Sequence, residues 1–105
     1  MNNYFEIRQI KNCRRFVRNC YTLPKKINSK LLHQLENYGY LEIQNFSSFS
    51  PLAKDAFKLK LENILEITGV IEGKEFFITI AKTDLELVKK IEEELTNWIT
   101  SSPNY

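Results

Sequence analysis

One histidine, two aspartates, two cysteines, three glycines and three prolines are spread over 105 residues, and each scarcity removes a class of function. A protein-closed zinc site takes four Cys or His ligands, and Cys13, Cys20 and His33 make three. Asp55 and Asp84 are too few and too far apart for a carboxylate cluster around a divalent ion. Gly39, Gly69 and Gly73 each have a turn or packing explanation, which leaves none for a phosphate-cradling loop. With so little Gly and Pro, long flexible linkers are not expected. No apolar run approaches the ~20 residues of a membrane span. The start, Met1 to Glu6, lacks the basic and then apolar pattern of a signal peptide. Two cysteines without an export signal suit a reducing, cytoplasmic setting.

What is present is an ordinary globular composition, 43% apolar and 27% charged, with seven Phe, five Tyr and one Trp. The length suits one domain, 1–105, divided into a basic helical part, 1–39, and a sheet with a C-terminal helix, 40–105. Charge is divided unevenly between the two parts. Residues 1–35 carry eight bases and one acid, whereas residues 36–105 carry seven bases and twelve acids. Asymmetry of this kind points to an anionic ligand or an acidic partner.

The periodicity predicts a first helix over Phe5–Tyr21. At ~100° per residue, Phe5, Ile10, Cys13, Phe16, Val17, Cys20 and Tyr21 share one arc, and Arg8, Lys11, Arg14, Arg15 and Arg18 share the other. On such a helix Cys13 and Cys20 lie two turns apart, too far for a disulfide, and both read as small buried residues. Thr22-Leu23-Pro24 ends it. A second helix, capped by Asn28 or Ser29, runs to about Tyr38, with Gly39 as a left-handed terminator. Tyr40 to Phe46 alternates as a strand, and Ser47 to Pro51 reads as a loop. Residues 51–63 fit a helix started by Ser50-Pro51, but Phe57 to Glu62 alternates strictly, which favours a strand over about 56–62.

The next pair of strands forms a hairpin over 64–81. A two-residue Gly73-Lys74 loop places Ile71 opposite Phe76, Gly69 opposite Ile78 and Ile67 opposite Ile80. Thr83 and Glu86 have capping-box spacing, and the last helix runs from about Asp84 to Ile99. Its buried stripe is Leu85, Val88, Ile91, Leu95, Trp98 and Ile99, and the tail from Thr100 to Tyr105 frays. The expected fold is α+β: two N-terminal helices, an antiparallel sheet of three to four strands, and a C-terminal helix packed on the sheet. The alternative is a winged helix, with 51–63 as its third helix and Gly73-Lys74 at the wing tip.

No nucleophile elbow, nucleotide fingerprint or metal motif occurs, so no catalytic residue, metal or cofactor is assigned and the chain reads as a non-catalytic binding module. His33 sits in the helical stretch Leu31 to Leu35 with no motif around it. The candidate binding residues are Arg8, Lys11, Arg14, Arg15, Arg18, Lys25, Lys26 and Lys30, arrayed on or after the first helix, with Tyr4 nearby as a stacking ring. Nucleic acid or an acidic protein surface is the expected partner. A membrane surface fits poorly, because the apolar face of that helix is needed for the core. The competing reading is a protein-interaction or oligomerisation module without a nucleic-acid role, with Trp98 as its anchor.

Overall fold

In the computed structural model, residues 5–45, 48, 50, 52 and 54–101 are described. Tyr4, Phe46, most of the 47–51 loop and the tail beyond Ser101 lie outside the described residues. Six strands form one antiparallel sheet: β1 (Glu6–Asn12), β2 (Phe16–Thr22), β3 (Tyr40–Gln44), β4 (Ala56–Leu61), β5 (Leu65–Val70) and β6 (Glu75–Ala81). Their spatial order is β1-β2-β6-β5-β4-β3. Two helices, α1 (Ser29–Leu35) and α2 (Leu85–Ser101), supply buried side chains to the same core as one face of the sheet.

The first correction is therefore large. Phe5–Tyr21 is not a helix but the β1–β2 hairpin, and the sheet has six strands rather than three or four. In the segment 16–22 (Phe-Val-Arg-Asn-Cys-Tyr-Thr), Phe, Val, Tyr and Thr favour strands over helices. As a strand it pairs with β6 over seven positions, from Phe16–Ala81 to Thr22–Glu75. A helix there would have left the backbone groups along that side of β6 without partners. The expected apolar arc splits accordingly. Phe5, Val17, Cys20 and Tyr21 are buried, while Ile10, Cys13 and Phe16 are exposed. Cys13 is thus not a core residue, and it lies in the turn, off the strand that carries Cys20.

The winged-helix alternative fails at residues 51–63, where Ala56–Leu61 is β4, paired with both β3 and β5. The second expected helix is present but short. Asn28 caps it, its side-chain Oδ1 accepting from the Leu31 amide at 3.0 Å, and a 3₁₀ turn, Glu36–Tyr38, completes it. Gly39 is not a left-handed terminator: its φ is 173°, which is extended. It is needed because a Cβ there would lie 2.7 Å from the Lys60 carbonyl oxygen.

The β5–β6 hairpin also differs. The pairs are Gly69–Phe76, Ile67–Ile78 and Leu65–Ile80, a shift of two residues from the expected register. The connection is longer than two residues because its backbone is engaged elsewhere. The Ile71 amide donates to the Asp55 carbonyl, the Glu72 amide to that of Ile27, and the Ile27 amide to that of Gly73. A shift of two preserves the facing of every side chain, so the inward set Leu65, Ile67, Phe76, Ile78 and Ile80 is as expected. Gly69 makes room for Phe57 and Phe76, whose nearest atoms would lie 2.8 and 2.9 Å from a Cβ.

At the C-terminal end, α2 begins at Leu85 after a 3₁₀ turn, Lys82–Asp84. The Thr83 hydroxyl donates to the Asp84 carboxylate at 2.8 Å in place of a capping box, and Leu85 is exposed. Val88, Ile91, Leu95 and Trp98 are buried. Trp98 is fully enclosed, which rules it out as an anchor for a partner. Among the described residues no helix is long and apolar enough to cross a membrane.

Candidate functional site

Strand pairing sorts the basic residues. Directly opposed residues of an antiparallel pair point to the same side of the sheet. The side away from the helices carries Arg8 beside Cys20 and Lys11 beside Arg18 on the β1–β2 pair. It continues with Phe77 beside Cys20 and Thr79 beside Arg18 on β6. Arg14 and Arg15 occupy the β1–β2 turn, closed by the Cys13 amide donating to the Phe16 carbonyl at 2.8 Å. The turn does not project as a finger, because the Lys82 amide donates to the Arg15 carbonyl at 2.8 Å. That bond brings Lys82, an exposed base, beside the arginines.

Lys11 and Arg18 oppose each other directly, and like charges so placed cost about 0.2–1 kcal/mol. Among the described residues, no carboxylate forms an ion pair with Arg8, Lys11, Arg14, Arg15 or Arg18. The Lys58–Glu66 contact, at 4.0 Å, is on the other half of the same face. The Arg18 guanidinium instead lies over the Phe77 ring, 4.7 Å from its centroid. Phe16, at the turn end of β2, is 39% exposed. Cationic and aromatic groups therefore adjoin on one solvent-facing area.

The remaining three sequence candidates are elsewhere. Lys25 is only 5% exposed, and its Nζ donates to the Trp98 carbonyl at 3.1 Å and lies 4.3 Å from the centre of the Trp98 ring. Burial, with Lys30 adding repulsion, pushes its ammonium below the usual lysine range. Its occupation is to hold the last turn of α2, whose carbonyls have no partner within the helix. Lys26 is exposed and lines a shallow hollow of about 360 Å³ together with Glu72. Lys30 is on α1, in the helix layer.

Nucleophilic chemistry has little support in this arrangement. Cys20 is buried on the outer side of the sheet, its Sγ 3.8 Å from a Glu75 carboxylate oxygen. Burial first, then the Glu75 charge, raise its pKa and keep the thiol protonated. His33 is exposed on α1, across the sheet from Cys20. Among the described residues, no group of three His, Cys, Asp or Glu side chains could hold a metal ion.

Sequence reasoning missed Lys82, Phe77 and the outward placement of Phe16. Phe77 had a usable signal: it alternates with Glu75 and Thr79, an aromatic ring in an otherwise polar row. Lys82 had none, since only the β2–β6 pairing brings it to the turn. In comparisons with protein-family models, with curated proteins and with solved structures, the chain matches none.

Proposed function

We propose that this chain is a non-catalytic module that binds nucleic acid through the outer face and turn of the β1–β2 hairpin. The observation that carries the reading is the direct opposition of Lys11 and Arg18, flanked by Arg8, Arg14 and Arg15, with no carboxylate partner among the described residues. A fold gains nothing from setting like charges across a ladder; an anion laid between them turns the repulsion into attraction. Arginine forks also match phosphate oxygens with paired hydrogen bonds. Lys25 is excluded from the site by its burial, Lys26 by its place in the connection between β2 and α1, and Lys30 by its place on α1.

The test is salt-dependent affinity for mixed-sequence nucleic acid. Replacing Arg14, Arg15 and Arg18 together with Gln is expected to weaken binding ~10- to 100-fold at low salt. It should also reduce the slope of log affinity against log salt by about two, as loss of two to three phosphate contacts requires. Lys26→Gln with Lys30→Gln should change neither quantity by more than about twofold. A slope unaltered in the triple variant would remove this hairpin as the contact.

A second reading rests on β1 itself. All seven of its residues are exposed, and Ile7 and Ile10 are 44% and 45% exposed along a sheet edge that no other described strand pairs. Such an edge can accept a strand from another chain, including a second copy. Sedimentation across a range of concentrations separates the two, because strand addition between copies gives a mass that rises with concentration and nucleic-acid binding does not require it.

A further inference from the structure

Resting on the nucleic-acid reading above, we infer that the ligand is a single strand with unstacked bases, one of which stacks on the Arg18–Phe77 pair. Three observations separate a single strand from a duplex. The β1–β2 hairpin cannot enter a groove as a free ribbon, because β2 is paired with β6 along its whole length. Six strands at the usual ~4.8 Å spacing make a surface about 24 Å wide, twice the ~12 Å major groove. The turn, the one part narrow enough, is tied back by the Lys82–Arg15 bond.

A duplex would therefore meet this face through its phosphates alone, and the aromatic groups would contribute nothing. A single strand uses both. Its phosphates lie along Arg8, Lys11 and the turn arginines, and its bases turn inward across β2 toward β6. There the Arg18 guanidinium lies over the Phe77 ring, 4.7 Å from its centroid, a planar cation already backed by a ring. Bases stack on guanidinium planes as well as on aromatic faces. Phe16, exposed at the turn end, offers a second ring on the same side. The acids of this face bound the path: Glu6, opposite Thr22, and Glu75, bonded to Cys20 and Thr22, sit toward the end away from the turn, and Glu66 and Glu42 sit beyond β6 near Lys58. A strand following the bases thus stays on the β1–β2–β6 half near the turn.

Anisotropy of labelled oligothymidine about 12 nucleotides long, its RNA counterpart and a duplex of equal length tests this at ~50 mM salt, where phosphate contacts are strongest. The single strands are expected to bind at least ~10-fold tighter than the duplex. Phe77→Leu should lose about 5- to 150-fold of single-strand affinity, the range of one stacking contact, while duplex affinity stays within ~2-fold. Phe77→Tyr should keep the affinity. The native emission of buried Trp98 verifies that each variant is folded. Equal binding of duplex and single strand, or no loss in Phe77→Leu, overturns the inference and leaves the nucleic-acid reading standing. No binding of either form, or a poly-glutamate peptide binding as tightly as oligothymidine, overturns both.

Discussion

Tyr21 joins the sheet to the C-terminal helix through one atom. Its ring is enclosed between Phe5 and Phe76, with centroids at 5.7 and 5.2 Å, and its hydroxyl donates to a Glu92 carboxylate oxygen at 2.7 Å. Burial first, then the hydrogen bond and charge of Glu92, push its pKa well above the usual phenol range. In the unfolded chain a tyrosine ionises near ~10. Above that pH the unfolded state has released a proton that the native state retains, so stability falls as pH rises; below it the contribution is complete. Tyr38, raised by burial and by Glu94, adds to the same alkaline loss. Tyr21→Phe is expected to cost about 1.5–3 kcal/mol near neutral pH, the worth of a hydrogen bond to a charged group. Between pH ~9 and ~11 its urea midpoint should fall less than that of the parent chain. Equal alkaline slopes would transfer the effect to Tyr38. In the sequence Tyr21 was legible as a buried residue; its partner was not, since Glu92 reads as a helix position flanking the buried stripe.

The elements divide by whether a local pattern survives intact. In β4, β5 and β6 strict alternation carried both the strand state and the inward set, and in α2 the spacing of Val88, Ile91, Leu95 and Trp98 marked the core stripe. The β1–β2 hairpin hid itself in three ways. Its register shifts between Gln9 and Lys11, so alternation breaks in mid-strand. Every residue of β1 is exposed, so burial imposes no period on it. Its turn, Cys13 to Arg15, contains no glycine to mark it. What remained was an accidental helical arc. The β5–β6 connection misled differently, by its glycine. The residue with a left-handed backbone is Glu72, at φ 71°, and Gly73 follows it because a Cβ there would lie 3.1 Å from the Val70 carbonyl oxygen. A non-glycine residue in that region carries about 1 kcal/mol of strain. Glu72 is exposed, so Glu72→Gly removes the strain without removing a buried side chain. The variant should gain up to ~1 kcal/mol in urea unfolding, and a loss of stability would mean that the carboxylate holds a contact stronger than the strain.

At the scale of the molecule, the charge imbalance of the first 35 residues was legible, and its distribution was not. Five of the eight bases belong to one hairpin and a sixth, Lys25, is consumed by the fold, because β2 pairs with a strand more than fifty residues away. No local pattern encodes that closure. It is made by long-range contacts between the early chain and the C-terminal part: β2 on β6, Tyr21 on Glu92, and Lys25 on Trp98. Trp98 is fully enclosed, with a cation over its ring. Trp98→Ala removes that ring and leaves the Lys25 ammonium desolvated over a void. Core truncations of this size cost about 3–5 kcal/mol, out of the ~5–15 kcal/mol that holds a typical domain together. The loss should be global rather than confined to the end of α2, since the same side chain belongs to the core that β2, β6 and α2 share. Amide exchange should therefore quicken in β2 and β6 as well as in α2, while far-UV circular dichroism follows the lowered urea midpoint without needing the lost fluorophore. Trp98→Phe, which keeps a ring under Lys25, should retain most of the stability. Faster exchange limited to the last turn of α2, with β2 and β6 protected as before, would show that the helix end frays independently and that the sheet closes without it.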